Sequence, residues 1–154
     1  MIRETKECTI PVDRDERWDK FFLSLARHTA SMSKDPSTQV GSVITKGKFV
    51  VSLGFNGFAQ GMADLSKRYE NKAYKHDFVL HAEENAILTA KQDLKGCSVY
   101  VWPFMPCPHC CSIILQTGIK EVISLVNQRD YPATYPIYQE ANVGLYLYPE
   151  DYLK

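Results

Sequence analysis

Apolar side chains recur at helical spacing over residues 14 to 32, where Trp18, Phe21, Phe22, Leu25 and Ala26 share one face. The period then changes. Val40, Val43 and Ile44 lead into Lys46-Gly47-Lys48, and Phe49, Val50, Val51 and Leu53 follow, which predicts a hairpin over 39 to 56 whose second strand is closed by Asn56-Gly57. Residues 57 to 80 are rich in Gly, Lys, Arg and Tyr and carry little periodicity, so they read as a long loop, functional or mobile. A helix is expected over 81 to 92, with Ala82, Ala86, Ile87 and Ala90 available for packing. Lys95-Gly96 punctuates, and Cys97 to Trp102 alternates as a buried strand. Pro106 and Pro108 favour a helix start near Cys107, with a stop at Gly118. Glu121 to Val126 reads as a strand, Tyr131 to Asn142 as a helix containing Pro132 and Pro136, and Gly144 to Tyr148 as the last strand. A hairpin followed by helix–strand alternation predicts an α/β fold, a mixed sheet with helices over its faces.

Length and composition narrow this picture. The 154 residues show no repeat, linker or low-complexity tract, so one domain over 1–154 is expected. With 45% hydrophobic and 23% charged residues the chain reads as globular rather than disordered. Eighteen basic residues offset eighteen acidic ones, against a protein whose main task is gripping a nucleic acid backbone. Met1 to Lys6 lacks the apolar core of a signal peptide, and no stretch reaches a membrane span, so a cytoplasmic protein without a membrane partner is expected. Cysteine usage adds chemistry. Of Cys8, Cys97, Cys107, Cys110 and Cys111, three are bunched, which in a reducing compartment points to a metal before disulfides.

Cys107-Pro108-His109-Cys110 places two thiols on the first turn of a helix, within reach of one ion. His81-Ala82-Glu83 also stands at a predicted helix start. There, side chains reach past the helix end, so His81 and Glu83 can converge on one point. Two helix N-termini aimed at one site favour negative charge and lower thiol pKa values. One imidazole and two thiolates balance Zn²⁺ and fill three tetrahedral positions, the pattern of a catalytic rather than a closed structural site. Zinc lowers the pKa of a water in the fourth position from about 15.7 toward about 7. Glu83, two residues from a ligand, is then the proton carrier. The competing reading is a closed structural site completed by Cys111, His109, Cys97 or His76.

His81-Ala82-Glu83 followed by Pro106-Cys107-x-x-Cys110 resembles the signature of the zinc-dependent nucleobase deaminases. The likeness extends to the deoxycytidylate deaminase family through Ser33-Lys34-Asp35-Pro36-Ser37-Thr38-Gln39-Val40-Gly41, Gly54-Phe55-Asn56-Gly57, Glu70-Asn71-Lys72, Glu84-Asn85-Ala86-Ile87, Lys95-Gly96-Cys97-Ser98 and Gly118-Ile119-Lys120-Glu121-Val122-Ile123. These segments span roughly residues 18 to 126; the C-terminal part matches weakly. The resemblance implies a three-layer α/β/α fold around a five-stranded mixed sheet, and hydrolysis of dCMP to dUMP and ammonia. It implies zinc on His81, Cys107 and Cys110, and proton transfer to N3 and the departing amine by Glu83. Asn56 would hold the sugar hydroxyl and the Ala82 backbone would meet the base.

For the phosphate, Lys34 is the first candidate and Arg27 the second. Asn56-Gly57 as a plain turn, and Lys34 and Arg27 as solvated charges, are the competing readings. The family likeness further implies a homo-oligomer, a hexamer, and regulation by dCTP and dTTP, with Mg²⁺ accompanying a triphosphate near the basic run Lys67, Arg68, Lys72 and Lys75. Ala59 and Met62 depart from the proline and cysteine the family commonly shows, in the loop tied to substrate and effector binding. Rival substrates are free cytidine, 5-modified dCMP or a base in nucleic acid. A non-catalytic zinc module is the rival of another class, opposed by the intact Glu83. The balanced charge, without aromatic–basic interleaving, speaks against stable nucleic acid binding.

Overall fold

The computed structural model describes residues 10–154; Cys8 and the polar stretch Met1 to Lys6 lie outside them. Helix α1 (Glu16–Ala30) starts at Asp15, whose carboxylate accepts from the Arg17 N–H at 3.2 Å. Acidic Glu16 and Asp19 in its first turn and Arg27 and His28 in its last complement the helix dipole. Strands β1 (Gly41–Lys46) and β2 (Phe49–Phe55) form the expected hairpin. Its register slips between Ile44 and Thr45, leaving Val51 as a bulge. Short strands β3 (Gly57–Phe58) and β4 (Val79–Leu80) pair with each other around α2 (Ser66–Glu70) and α3 (Lys72–Phe78). Next come α4 (Ala82–Ala90), β5 (Ser98–Trp102), α5 (Pro108–Gln116), β6 (Glu121–Leu125), a 3₁₀ turn (Pro132–Thr134), α6 (Tyr135–Glu140) and β7 (Gly144–Tyr148).

The five main strands lie in the order β2-β1-β5-β6-β7, antiparallel from β2 to β5 and parallel from β5 to β7. On one face Phe22, Leu23 and Ala26 of α1 pack on Val43, Tyr100, Ile123 and Tyr148. Buried Asp19 reinforces that layer: it accepts from the Tyr100 hydroxyl at 2.9 Å and from that of Tyr148, and pairs with Arg14, which also reaches Glu121. On the other face Ala82, Ala86, Cys111, Ile114 and Tyr138 cover Ile44, Val99, Val101, Val122 and Leu145. Helices thus cover both faces of a five-stranded mixed sheet, the expected three-layer α/β/α fold.

Three sequence expectations need correction. Residues 57–80 are not a structureless loop; they hold β3, α2, α3 and β4. Helices of five and seven residues are too short to impose a helical period on the sequence. Ring contacts support them instead, Phe58 with Tyr69 at 4.5 Å and Tyr74 with Phe78 at 4.7 Å, and the Asn71 side chain caps α3. Asn56-Gly57 ends β2 as expected, but it is not a plain turn, because the chain runs on into β3 with Asn56 buried. The helix expected over 131–142 is shortened to a 3₁₀ turn and α6, since Pro132 and Pro136 remove backbone donors.

Gly54 sets the depth at which α4 lies on the sheet. A Cβ there would stand 2.3 Å from the Ala82 carbonyl oxygen and 2.4 Å from the Ala86 nitrogen, both backbone atoms that cannot swing aside. Gly54→Ala therefore pushes the start of α4 off β2. We expect a loss of about 2–3 kcal/mol in urea unfolding, and zinc affinity falling with it; an unchanged midpoint contradicts this packing.

Candidate active site

In the parallel part of an open α/β sheet, the loops beyond the carboxyl ends of the strands are where ligands settle. Here the segments after β5 and β6 meet the segment before β1, because Gly41 is paired with Trp102. The residue that follows β2, Asn56, joins the same edge. Together these segments and α3 enclose a cavity of about 660 Å³.

The starts of α4 and α5 point into it. His81 is the N-cap of α4, its N–H donating to Glu84 Oε2 at 2.7 Å, and Cys107 is the N-cap of α5, with Pro108 at the first helical position. Extended backbone at both caps carries these side chains beyond the helix ends. His81 Nδ1 stands 3.6 Å from Cys107 Sγ and 3.3 Å from Cys110 Sγ, and the three donor atoms lie within 4.8 Å of one another. One imidazole and two sulfurs at that spacing are a donor set suited to zinc. The protons show the same demand for positive charge. The Cys107 thiol is held far below the usual thiol range, first because Cys110 S–H donates to its sulfur, and further by His81 against the opposing effect of burial. Cys110 is correspondingly pushed up, and His81 is raised by its bond to Cys107.

Among the described residues no fourth His, Cys, Asp or Glu joins this group. Cys111 is buried in the core, and Cys97, just ahead of β5, is buried in the same core. His109 faces solvent and pairs with Glu84 at 3.3 Å, and the His76 side chain is 90% exposed. Glu83 is 4% exposed and lines the cavity with Ala82. Burial pushes its carboxyl up to about 7, against a lowering contribution from its own backbone N–H and from His81. Asn56 also lines the cavity, with its amide held by Val40 and Thr38.

The two phosphate candidates are not at the cavity. Lys34 follows a buried serine in an extended segment, so its side chain points outward, is 70% exposed and pairs with Asp64 at 3.2 Å. Arg27 sits on α1, on the opposite face of the sheet, and donates to the Leu153 carbonyl at 3.1 Å. The basic side chains that do line the cavity are Lys72, Lys75, His76 and Arg129. Lys75, a member of the basic run Lys67, Arg68, Lys72 and Lys75, is paired with buried Asp35 at 2.6 Å. Arg129, which sequence reasoning missed, lies in the loop after β6 with its guanidinium 5.0 Å from the centre of the Phe104 ring. Its one available signal was position, just beyond the carboxyl end of a parallel strand. Phe104 and Tyr131, from the loops after β5 and β6, complete that wall.

A family model for the cytidine and deoxycytidylate deaminase zinc-binding region matches residues 16–126. An uncharacterized deaminase in the luxG 3′ region of Aliivibrio fischeri is 42% identical over 146 residues, 90% of this chain and 98% of that protein. The deoxycytidylate deaminase of Mus musculus is 45% identical over 114 residues, covering 69% of this chain and 63% of its own length. The fold is shared with the dCMP deaminase of cyanophage S-TIM5, solved in complex with dCMP and dUMP, at a TM-score of 0.71 and 23% identity over 87% of this chain and 98% of that one.

The raised Glu83 carboxyl has a cost in stability. Between its ordinary 4.5 and about 7 the folded chain keeps a proton that the unfolded chain has released, so stability falls as pH rises through that window. In metal-free protein, Glu83→Gln should gain about 3 kcal/mol at pH 8 and under about 1 kcal/mol at pH 5, read by denaturant titration. A gain independent of pH contradicts a buried, uncompensated carboxylate.

Proposed function

The chain belongs to the cytidine and deoxycytidylate deaminase zinc-binding family, and on that footing we propose that it hydrolyses dCMP to dUMP and ammonia. One observation carries the reading: two sulfurs and an imidazole converge beside a cavity that His81 and Cys107 line, with the buried carboxyl of Glu83 lining the same space. His81, Cys107 and Cys110 hold the zinc, which supplies the Lewis acidity that makes water nucleophilic near neutral pH.

The remaining chemistry belongs to the chain. Glu83 takes a proton from the water that adds to C4 and delivers it to N3 of the pyrimidine. It then carries the second proton to the 4-amino group as the C4–N bond breaks, so water and dCMP leave as dUMP and ammonia. A carboxyl tuned by burial to about 7 is suited to both directions of transfer. The Ala82 backbone meets the base, and Asn56 takes the sugar hydroxyl. Arg129 receives the phosphate: among the described residues its guanidinium donates to no protein acceptor, and a planar fork matches phosphate oxygens. Lys72 stands on the same cavity wall as a second cation.

The finer expectations follow the family likeness. The protein works in the cytoplasm as a homo-oligomer, a hexamer, a reading supported by exposed Phe49, Leu53 and Phe55 along the edge strand β2. dCTP with Mg²⁺ activates and dTTP inhibits, through the segment 57–80 that carries Lys67, Arg68 and Lys72.

Ammonia release from dCMP, deoxycytidine, 5-methyl-dCMP and dCTP tests the assignment. We expect dCMP to exceed deoxycytidine at least about 100-fold in kcat/KM, the scale of two charge-assisted phosphate contacts. Glu83→Gln should keep its zinc and lose at least about 100-fold in kcat. Arg129→Ala should lose about 10–100-fold on dCMP and nothing on deoxycytidine. Equal turnover of dCMP and deoxycytidine by the wild type contradicts nucleotide specificity.

A further inference from the structure

Asp35 is a carboxylate with a wholly buried side chain in the cavity wall, and it is loaded with donors. Its Oδ1 accepts from the Ser37 N–H at 2.9 Å, the Ser37 hydroxyl at 3.0 Å and the Thr38 N–H at 3.2 Å. Its Oδ2 takes the Lys75 ammonium at 2.6 Å and lies 3.4 Å from the Asn56 amide nitrogen. Burial alone would raise the Asp35 pKa, but the bonds from Lys75 and Ser37 outweigh it, so the group stays ionised.

The consequence appears one residue away. The Val40 N–H donates to Asn56 Oδ1 at 2.8 Å, which identifies the oxygen end of that amide. Its nitrogen donates to the Thr38 carbonyl at 2.8 Å and points its other hydrogen toward Asp35. An amide offers two N–H donors and two oxygen lone pairs. Three of the four are therefore committed, and what remains for a ligand is one acceptor lone pair on Oδ1. A hydroxyl hydrogen satisfies it; another acceptor cannot.

We propose that Asp35 is a positioning residue which, acting with Thr38, locks the Asn56 amide as an acceptor-only reader of a sugar hydroxyl donor. This rests on the deoxynucleotide reading of the cavity. Lys75 is the counter-charge that permits a carboxylate at that depth; it contributes to the lock by keeping Asp35 ionised. The substitution Asp35→Asn shows why the charge matters. The oxygen of the introduced amide must stay on Ser37 and Thr38, which are both donors, so its NH₂ would face the Lys75 ammonium and the Asn56 NH₂. Three donors then crowd one point, and the Asn56 amide has to move.

The ratio of kcat/KM for dCMP to that for 2′,3′-dideoxycytidine monophosphate isolates this effect. In the wild type the ratio should be about 10 or more, the scale of leaving one buried acceptor unpaired. It should fall toward 1 in Asp35→Asn, and no further when Asn56→Ala is added. A purely structural role lowers both substrates alike and keeps the ratio, which overturns the inference, as does a wild-type ratio near 1. Should Asp35→Asn fail to fold, the Asp35→Asn, Lys75→Met pair relieves the ammonium clash yet still opposes Asn56, and its ratio should also collapse; a retained ratio overturns the proposal. Should the wild type release no ammonia from dCMP, the deaminase reading fails separately. The same discrimination is then read as the ratio of dissociation constants for the two nucleotides, with the same two outcomes.

Discussion

Two sulfurs and an imidazole nitrogen packed within 4.8 Å of one another cannot all carry the charge states that metal ligands need unless a cation lies between them. The groups shift against one another accordingly, Cys107 held low while Cys110 and His81 are raised. Most of the architecture on that side of the sheet serves to impose this crowding. Gly54 lets α4 sink against β2, the first residues of α4 and α5 are drawn to one point, and extended backbone at both N-caps throws the side chains forward. Helix N-termini favour the negative charge that results. The α1 face, knitted by Asp19, Tyr100, Tyr148 and Arg14, is remote from the chemistry and holds the sheet against which the site is set.

Around this centre the cavity divides its tasks by depth. Glu83, enclosed, has a carboxyl whose proton is easily held or given. The Asp35–Lys75 pair is neutral as a unit, so it adds little net charge to the cavity wall. Arg129, over the Phe104 ring, donates from its guanidinium to no acceptor among the described residues. A cation spent on an internal carboxylate and a cation left unspent thus play opposite parts in one cavity, although both are merely basic residues in the sequence.

That contrast explains how far the sequence could be read. The metal group was legible because its members are local: Cys107 and Cys110 share one helical turn, and His81 and Glu83 stand two positions apart at another helix start. The hairpin, β5, β6, β7 and the helices α1, α4 and α5 each repeat a period long enough to see. The segment 57–80 was not legible as structure, since α2 and α3 are held by rings of Phe58, Tyr69, Tyr74 and Phe78 that meet only after folding. Lys34 lies inside a family-like motif, yet its neighbour Asp35 is the residue turned inward. Nothing in sequence order links Lys75 to Asp35, or Arg129 to Phe104; those partnerships are made by the fold.

Zinc K-edge X-ray absorption of the zinc-loaded protein addresses the coordination most directly. Two sulfur neighbours at about 2.3 Å and two nitrogen or oxygen neighbours at about 2.0–2.1 Å are predicted, one of the light atoms from His81 and the other from solvent. A third sulfur in the shell, or two imidazoles, would contradict an open position beside Glu83 and the hydrolytic account with it.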